Sequence, residues 1–340
     1  MTDIVAMGEM MIRLMPPGNL RFEQASNFDV FYGGDESIVA TSLARLGMNA
    51  YYVSALPDNV FGDIAIRKLW EQGVKTDYIL REPGRIGLNF YENGASVRPS
   101  QVIYDRVDSV ISKTTPGKFN FDTIFKGRDW FHTSGITPAL SDGMYEVTKE
   151  ALKKAKEYGL TTSVDLNYRR KLWPPEKAKK CMTSLMEHVD VLIGNEEDAE
   201  IMLGYSPGKT DVTTGMIDEE GYRDIFIKMK KDFRFKIIAS TLRESRSASD
   251  NGWSVLVYDG ENFHRSKTYD IHLVDRGGGG ASFSAGLIYG LCKGMEIGET
   301  AEYAAGFSAL KQTVVGDFNL ITDQEVRNMI MGDVSGRVKR

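Results

Sequence analysis

Short apolar runs alternate with stretches of helical period along most of this chain. The run at 4–7 reads as a buried strand ending at Gly8. The segment SIVATSLARL at 37–46 has the spacing of an amphipathic helix, with Gly47 as its stop signal. Further strands are predicted at 50–53, 130–132, 161–165, 189–193 and 236–240, and helices at 62–72, 143–158, 175–188, 197–203 and 222–231. Strands separated by helices imply βαβ units, hence an α/β fold with a mainly parallel sheet covered on both faces. Ligands bind beyond the carboxyl ends of the strands in such sheets, which is where chemistry is sought.

Two segments break this rhythm. Residues 10–32 carry IRLM and FDVFY with no helix between them, and 85–106 carry GLNFY and QVIYDR. Both alternate polar and apolar positions, which suits a small antiparallel sheet with one wetted face. They predict a β-rich flap inserted into one α/β body covering 1–340. No linker, low-complexity tract or repeat interrupts that body, and the basic tail at 333–340 is expected to fray.

Composition narrows the function classes. The chain has 340 residues, with 42 Lys+Arg against 47 Asp+Glu, a net charge of −5. A pI near 5.6 argues against a nucleic-acid partner. No apolar run approaches a membrane span, and the first residues lack a basic and apolar leader pattern, so no membrane partner and a cytoplasmic location are expected. Cys181 and Cys292 match no metal-ligand spacing and fit two free thiols in a reducing compartment. His132, His188, His264 and His272 likewise show no ligand spacing and read as structural.

The strongest chemical signal is VDRGGGGASFSAG at 274–286, where a strand-like run at 269–274 meets four glycines and then a helix at 282–292. Glycines let backbone amides close around an anion, and a helix N-terminus adds unpaired donors. The alternative is a turn before a surface helix. The strict Walker pattern is absent. A near miss, GYSPGKT at 204–210, is one residue short and follows a helix, so it is rejected. The glycines also miss the G-x-G-x-x-G spacing, leaving a nicotinamide-dependent oxidoreductase a weak alternative.

Taken together, IVAMGEMMIRL, RFEQASNFDVFYGG, VATSLARLG, LPDNVFGD, ASVRPSQVIYDR, HTSGITPALSD, VDLNYRRKLW, GNEEDAE, TLRESRSASDN, DRGGGGASFSAGLIYGL and GDFN resemble the ribokinase-like (PfkB) carbohydrate kinases, and within them the 2-keto-3-deoxygluconate kinases. The resemblance runs over nearly the whole chain. It implies a ribokinase-like Rossmann-type core with a small β-sheet lid, often used for contacts in a homodimer or higher homo-oligomer. It further implies ATP and Mg²⁺ as cofactors and phosphorylation of the sugar acid at its 6-hydroxyl. By the same resemblance Gly33 and Gly34 approach the sugar, and Tyr104, Arg106 and Arg169 hold it. Asn195 and Asp198 organise Mg²⁺ and phosphate, with Asp198 at the metal. Thr241, Arg243 and Ser308 lie near the nucleotide, and Gly278, Gly279 and Gly280 form the anion hole.

The chain departs from the family where chemistry is expected. The family loop D-R-x-G-G-G-D-S-F places an aspartate base where this chain has Ala281, and a methyl group accepts no proton. Ile38 stands where the family's asparagine bonds a sugar hydroxyl, and Asn89 where relatives commonly carry tyrosine. Gly277 replaces a small apolar residue. Asp275 and Asp35 are candidates to replace the base, with Asp275 expected instead to orient the loop through Arg276 or backbone amides. The expectation is a sugar kinase with strongly reduced turnover. The alternatives are a non-catalytic sugar- or nucleotide-binding relative, a deliberately inactivated variant, or a kinase for a different sugar.

Overall fold

The computed structural model describes residues 2–206 and 219–333. The last positions of the rejected GYSPGKT segment and the tail beyond 333 lie outside the described residues. The chain opens with β1 (Asp3–Met7) and β2 (Met11–Met15), returns along β3 (Asp29–Gly33) and enters α1 (Asp35–Arg45). Next come β4 (Asn49–Pro57), α2 (Val60–Trp70), β5 (Lys75–Glu82), β6 (Gly87–Glu92) and β7 (Gln101–Asp105). The middle of the chain supplies α3 (Phe121–Phe125), β8 (Trp130–Ser134), α4 (Ile136–Ala139), α5 (Asp142–Glu157), β9 (Thr161–Asp165), α6 (Pro175–Leu185), β10 (Val191–Ile193) and α7 (Glu196–Leu203). It ends with α8 (Glu219–Phe233), β11 (Ile237–Ser245), β12 (Asp250–Tyr258), β13 (Phe263–Arg265), β14 (Tyr269–His272), α9 (Gly279–Lys293), α10 (Ile297–Lys311) and α11 (Asp323–Ile330).

The main sheet runs β13-β12-β11-β10-β9-β8-β1-β4-β5, with β14 also paired to β12. Every neighbouring pair from β11 to β5 is parallel, and β12 turns the edge antiparallel. Strand side chains alternate between faces, so β1 sends Val5 and Met7 into one core and Ile4 and Ala6 into the other. Helices α5, α6 and α8 cover the first core, while α1, α9 and α10 cover the second. Both faces are therefore apolar, as a parallel sheet requires.

The two interrupting segments form a separate sheet, β3-β2-β6-β7. It corrects the expectation of an antiparallel flap, because β2 and β6 run parallel. Within each segment the pairing is antiparallel, β2 with β3 and β6 with β7. The two segments are joined through a long crossover that includes α1, α2, β4 and β5, and such a connection permits a parallel seam. Among the described residues, no helix is long and apolar enough to cross a membrane.

Candidate active site

A cleft of about 330 Å³ lies where the carboxyl ends of β9, β10 and β11 meet the lid and the first turns of α1 and α9. At one end is the glycine loop. Gly278 has φ 78°, a left-handed conformation that favours glycine, and precedes α9 with no side-chain cap. The Gly279 amide donates to the Arg276 carbonyl at 3.4 Å, which leaves the Gly280 and Ala281 amides of the first turn open to an anion. At Gly277 an added Cβ would stand 2.4 Å from Arg13 Nη1, so the missing side chain makes room for that guanidinium. A Cβ on Gly280 would meet nothing within 4 Å, so the backbone is approachable there.

Asp275 fixes the loop from behind. Its carboxylate accepts from the amides of Gly277 at 2.8 Å and Gly316 at 2.9 Å, and from Arg13 Nη1 at 3.0 Å. Burial raises its pKa, but the hydrogen bond and charge of Arg13 outweigh that and the carboxyl is held low. Arg13 also pairs with Asp317 at 3.3 Å. Asp275 therefore orients the loop through backbone amides and Arg13, with no hydrogen bond to Arg276, and it does not line the cleft. Lys311, buried behind the loop, donates to the carbonyls of Val314 and Gly316, and burial lowers its pKa to about 8.

Ala281 sits in the first turn of α9, 2% exposed, packed in the same apolar cluster as Ile38 and Phe283. The Ile38 Cδ1 lies 3.4 Å from where a Gly278 side chain would begin. Ile38 and Ala281 both line the cleft and give this part of it an apolar surface.

The opposite wall is polar. Asn89 and Tyr104 face each other across β6 and β7, and both line the cleft. Gly33 and Gly34 are there because nothing larger fits. An added Cβ would come within 2.5 Å of the Asp317 Cβ at Gly33 and within 1.9 Å of the Glu9 carbonyl oxygen at Gly34. Arg106 lines the cleft but already has a carboxylate partner. Its Nε donates to Glu9 Oε2 at 2.7 Å, its Nη2 reaches the same oxygen, and Ser109 Oγ holds Glu9 Oε1 at 2.7 Å. Most of the fork expected to hold a sugar acid is thus committed to Glu9. Arg169 is freer, with Nη1 donating to the Tyr168 carbonyl at 3.0 Å and its charge facing Asp35, Asp165 and Asp198.

Asp165 and Asp198 are buried, Asp35 is half-buried, and all three ionise late. Burial, then the charge of Glu36, raises Asp35 to about 7. Burial, with Asp35 and Asp198 nearby, pushes Asp165 well above the usual carboxylate range. Burial likewise raises Asp198 to about 6, although the Tyr168 amide and Arg169 pull it down. Asp198 Oδ1 accepts from the Tyr168 amide at 2.9 Å, and Asn195 Oδ1 caps α7 by accepting from the Asp198 amide at 2.8 Å. The two residues thus serve first as a helix cap. Among the described residues no cluster of His, Cys, Asp or Glu could hold a metal by itself. The donor set fits a cation carried on phosphate oxygens rather than a protein-bound one.

Thr241 lines the cleft at the end of the parallel strands. Arg243 and Ser308 do not line it. Arg243 Nε donates to Ser245 Oγ at 2.8 Å, and desolvation together with the like charge of Arg276 lowers its pKa to about 10. Ser308 is buried in α10, where its hydroxyl accepts from Trp253 Nε1 at 2.7 Å and donates to the Ala305 carbonyl. His132 is a core residue, as expected, and burial lowers its pKa to about 3. Residues not singled out from sequence are Glu9, Arg13, Tyr91, Asp165, Asn167 and Asp317. Asn167 had a sequence signal, an asparagine just after the strand-like run of VDLN, and in the structure it takes a left-handed φ of 43°.

A profile of the pfkB family carbohydrate kinases matches residues 1–323. The 2-dehydro-3-deoxygalactonokinase of Haloferax volcanii is 34% identical over 98% of both chains. The 2-dehydro-3-deoxygluconokinase of Bacillus subtilis is 26% identical over 95% of this chain and 93% of that one. The crystal structure of the Thermotoga maritima 2-dehydro-3-deoxygluconokinase superposes with a TM-score of 0.94 at 46% identity, covering 98% of this chain and 100% of that one. The core and lid described above are a ribokinase-like fold, and the chain belongs to the pfkB family of carbohydrate kinases.

Proposed function

We propose that this chain binds ATP with Mg²⁺ and a sugar acid of the 2-keto-3-deoxygluconate type, and phosphorylates the 6-hydroxyl at a strongly reduced rate. The observation that carries this reading is Ala281, buried at the start of α9 beside an intact glycine loop. ATP would supply the phosphoryl group, and Mg²⁺ on its phosphates would offset their charge. The amides of the loop and of the first turn of α9 would hold the transferring phosphoryl group. The attacking hydroxyl must lose its proton, and Ala281 has no atom to take it. Positioning remains, while the base contribution of ~10²–10⁴-fold is lost.

The same residue favours a second reading, a sugar- or nucleotide-binding protein without turnover. A coupled ADP-release assay with ATP, Mg²⁺ and 2-keto-3-deoxygluconate, run beside calorimetric titration of each ligand, separates the two. Saturable binding with turnover far below the roughly 1–100 s⁻¹ of ordinary kinases supports the first. Turnover in that ordinary range overturns it. A cytoplasmic homodimer belongs to the same reading. The lid leaves Val30 and Ile103 about half exposed, at 55% and 53%, an apolar surface suited to a second copy.

A further inference from the structure

Asp35 is the first residue of α1 and lines the cleft together with Ile38, three residues on and therefore on the same helix face. Its Oδ1 accepts from Asn167 Nδ2 at 3.0 Å. Its Oδ2 is buried and has no hydrogen-bond partner among the described residues. A buried carboxylate oxygen without a donor is unfavourable, and structures seldom keep one without a use. The charges around it come from three directions: Glu36 on its own helix, Asp165 at the end of β9, and Arg169 in the loop beyond. Asn167, in its left-handed conformation, holds the other oxygen and so fixes the carboxylate in place.

We propose that Asp35 is a ligand-binding residue of this chain, its free oxygen accepting a hydrogen bond from a hydroxyl of the bound sugar. The polar contact that the resemblance assigns to position 38, and that Ile38 cannot make, is thereby remade one helical turn nearer the start of α1. An ionised carboxylate accepts and does not donate. The ligand group opposite is therefore an alcohol, and a keto or carboxylate oxygen presented there is rejected. This assignment rests on the sugar-binding reading above.

The test is calorimetric titration of the full chain at pH 8, where Asp35 is ionised, with 2-keto-3-deoxygluconate and with analogues each lacking one hydroxyl. Parent, Asp35→Ala and Asp35→Asn are compared, with ATP binding measured on all three. Asp35→Ala is expected to weaken sugar binding about 10–100-fold with ATP binding unchanged. Asp35→Asn, which keeps one accepting oxygen, loses less. One analogue should bind the parent as weakly as the full sugar binds Asp35→Ala, and should lose nothing further on that variant. Sugar binding that is indifferent to both substitutions overturns the role of Asp35 and leaves the sugar-binding reading standing. A parent that binds ATP and no sugar overturns both.

Discussion

The two ends of the cleft differ in what they are made of. The glycine loop acts through backbone: amides, a left-handed Gly278 and an uncapped helix start. The opposite wall presents side chains, among them Asn89, Tyr104, Arg106, Arg169 and Asp35. Backbone function tolerates substitution as long as the chain path is kept, and Asp275 and Arg13 keep it here. Side-chain function is lost or moved by single changes. Positions 38, 89 and 281 act by the side chain they carry, while the Gly280 and Ala281 amides stay available whatever the side chain.

The largest test of this contrast is Ala281→Asp. With the loop otherwise competent, the coupled assay should show turnover rising ~10²–10⁴-fold. An unchanged rate with both ligands bound would place the defect in the opposite wall instead. Next is Arg13→Met, which leaves Asp275 and Asp317 buried without their cation. Urea denaturation should register a loss of about 3–5 kcal/mol, with weaker ATP binding, because the loop loses its anchor. A variant that melts early yet binds ATP normally would show that the loop needs no support from the lid.

A smaller effect is expected from pH. The unfolded Asp35 ionises near its ordinary value, whereas the folded carboxyl holds its proton up to about 7. The native state therefore binds more protons between about pH 4 and 7, and this residue makes stability fall as pH rises across that window. Asp35→Asn should remove that slope, on the order of 1–3 kcal/mol between the two ends, in urea midpoints taken at intervals of pH. An identical slope in both proteins would assign the titration to the other buried acids with raised pKa values, Glu36, Asp165, Asp198 or Asp317. The smallest change is Ile38→Asn. Restoring an amide at that position should tighten sugar binding by about 10-fold or less on calorimetry.

Much of the parallel sheet was legible because β1, β8, β9 and β10 are compact apolar runs between helices with clear stop signals. Helix α10 was not. Its sequence, IGETAEYAAGFSALK, is rich in small residues and mostly buried, so only a narrow polar strip marks its period. It is packed against α9 so closely that a Cβ on Gly286 would lie 2.8 Å from the Ala304 Cα. Nor was the parallel seam between β2 and β6, since strand direction depends on a crossover, not on the alternation within either strand. In the site, the glycine loop was readable from one stretch of sequence. The pairing of Arg106 with Glu9 was not, because 97 residues separate partners that meet only when the lid is in place.

Gly277 and Arg13 tie each other's identities together. A side chain placed at position 277 would stand 2.4 Å from a guanidinium nitrogen that is hydrogen-bonded and buried. That nitrogen is held by the Asp275 carboxylate, with Asp317 against the same guanidinium. Any side chain at 277 therefore requires Arg13 to give way, whereas a Cβ on Gly280 would meet nothing within 4 Å. One loop position is thus coupled to the lid, and the other is not.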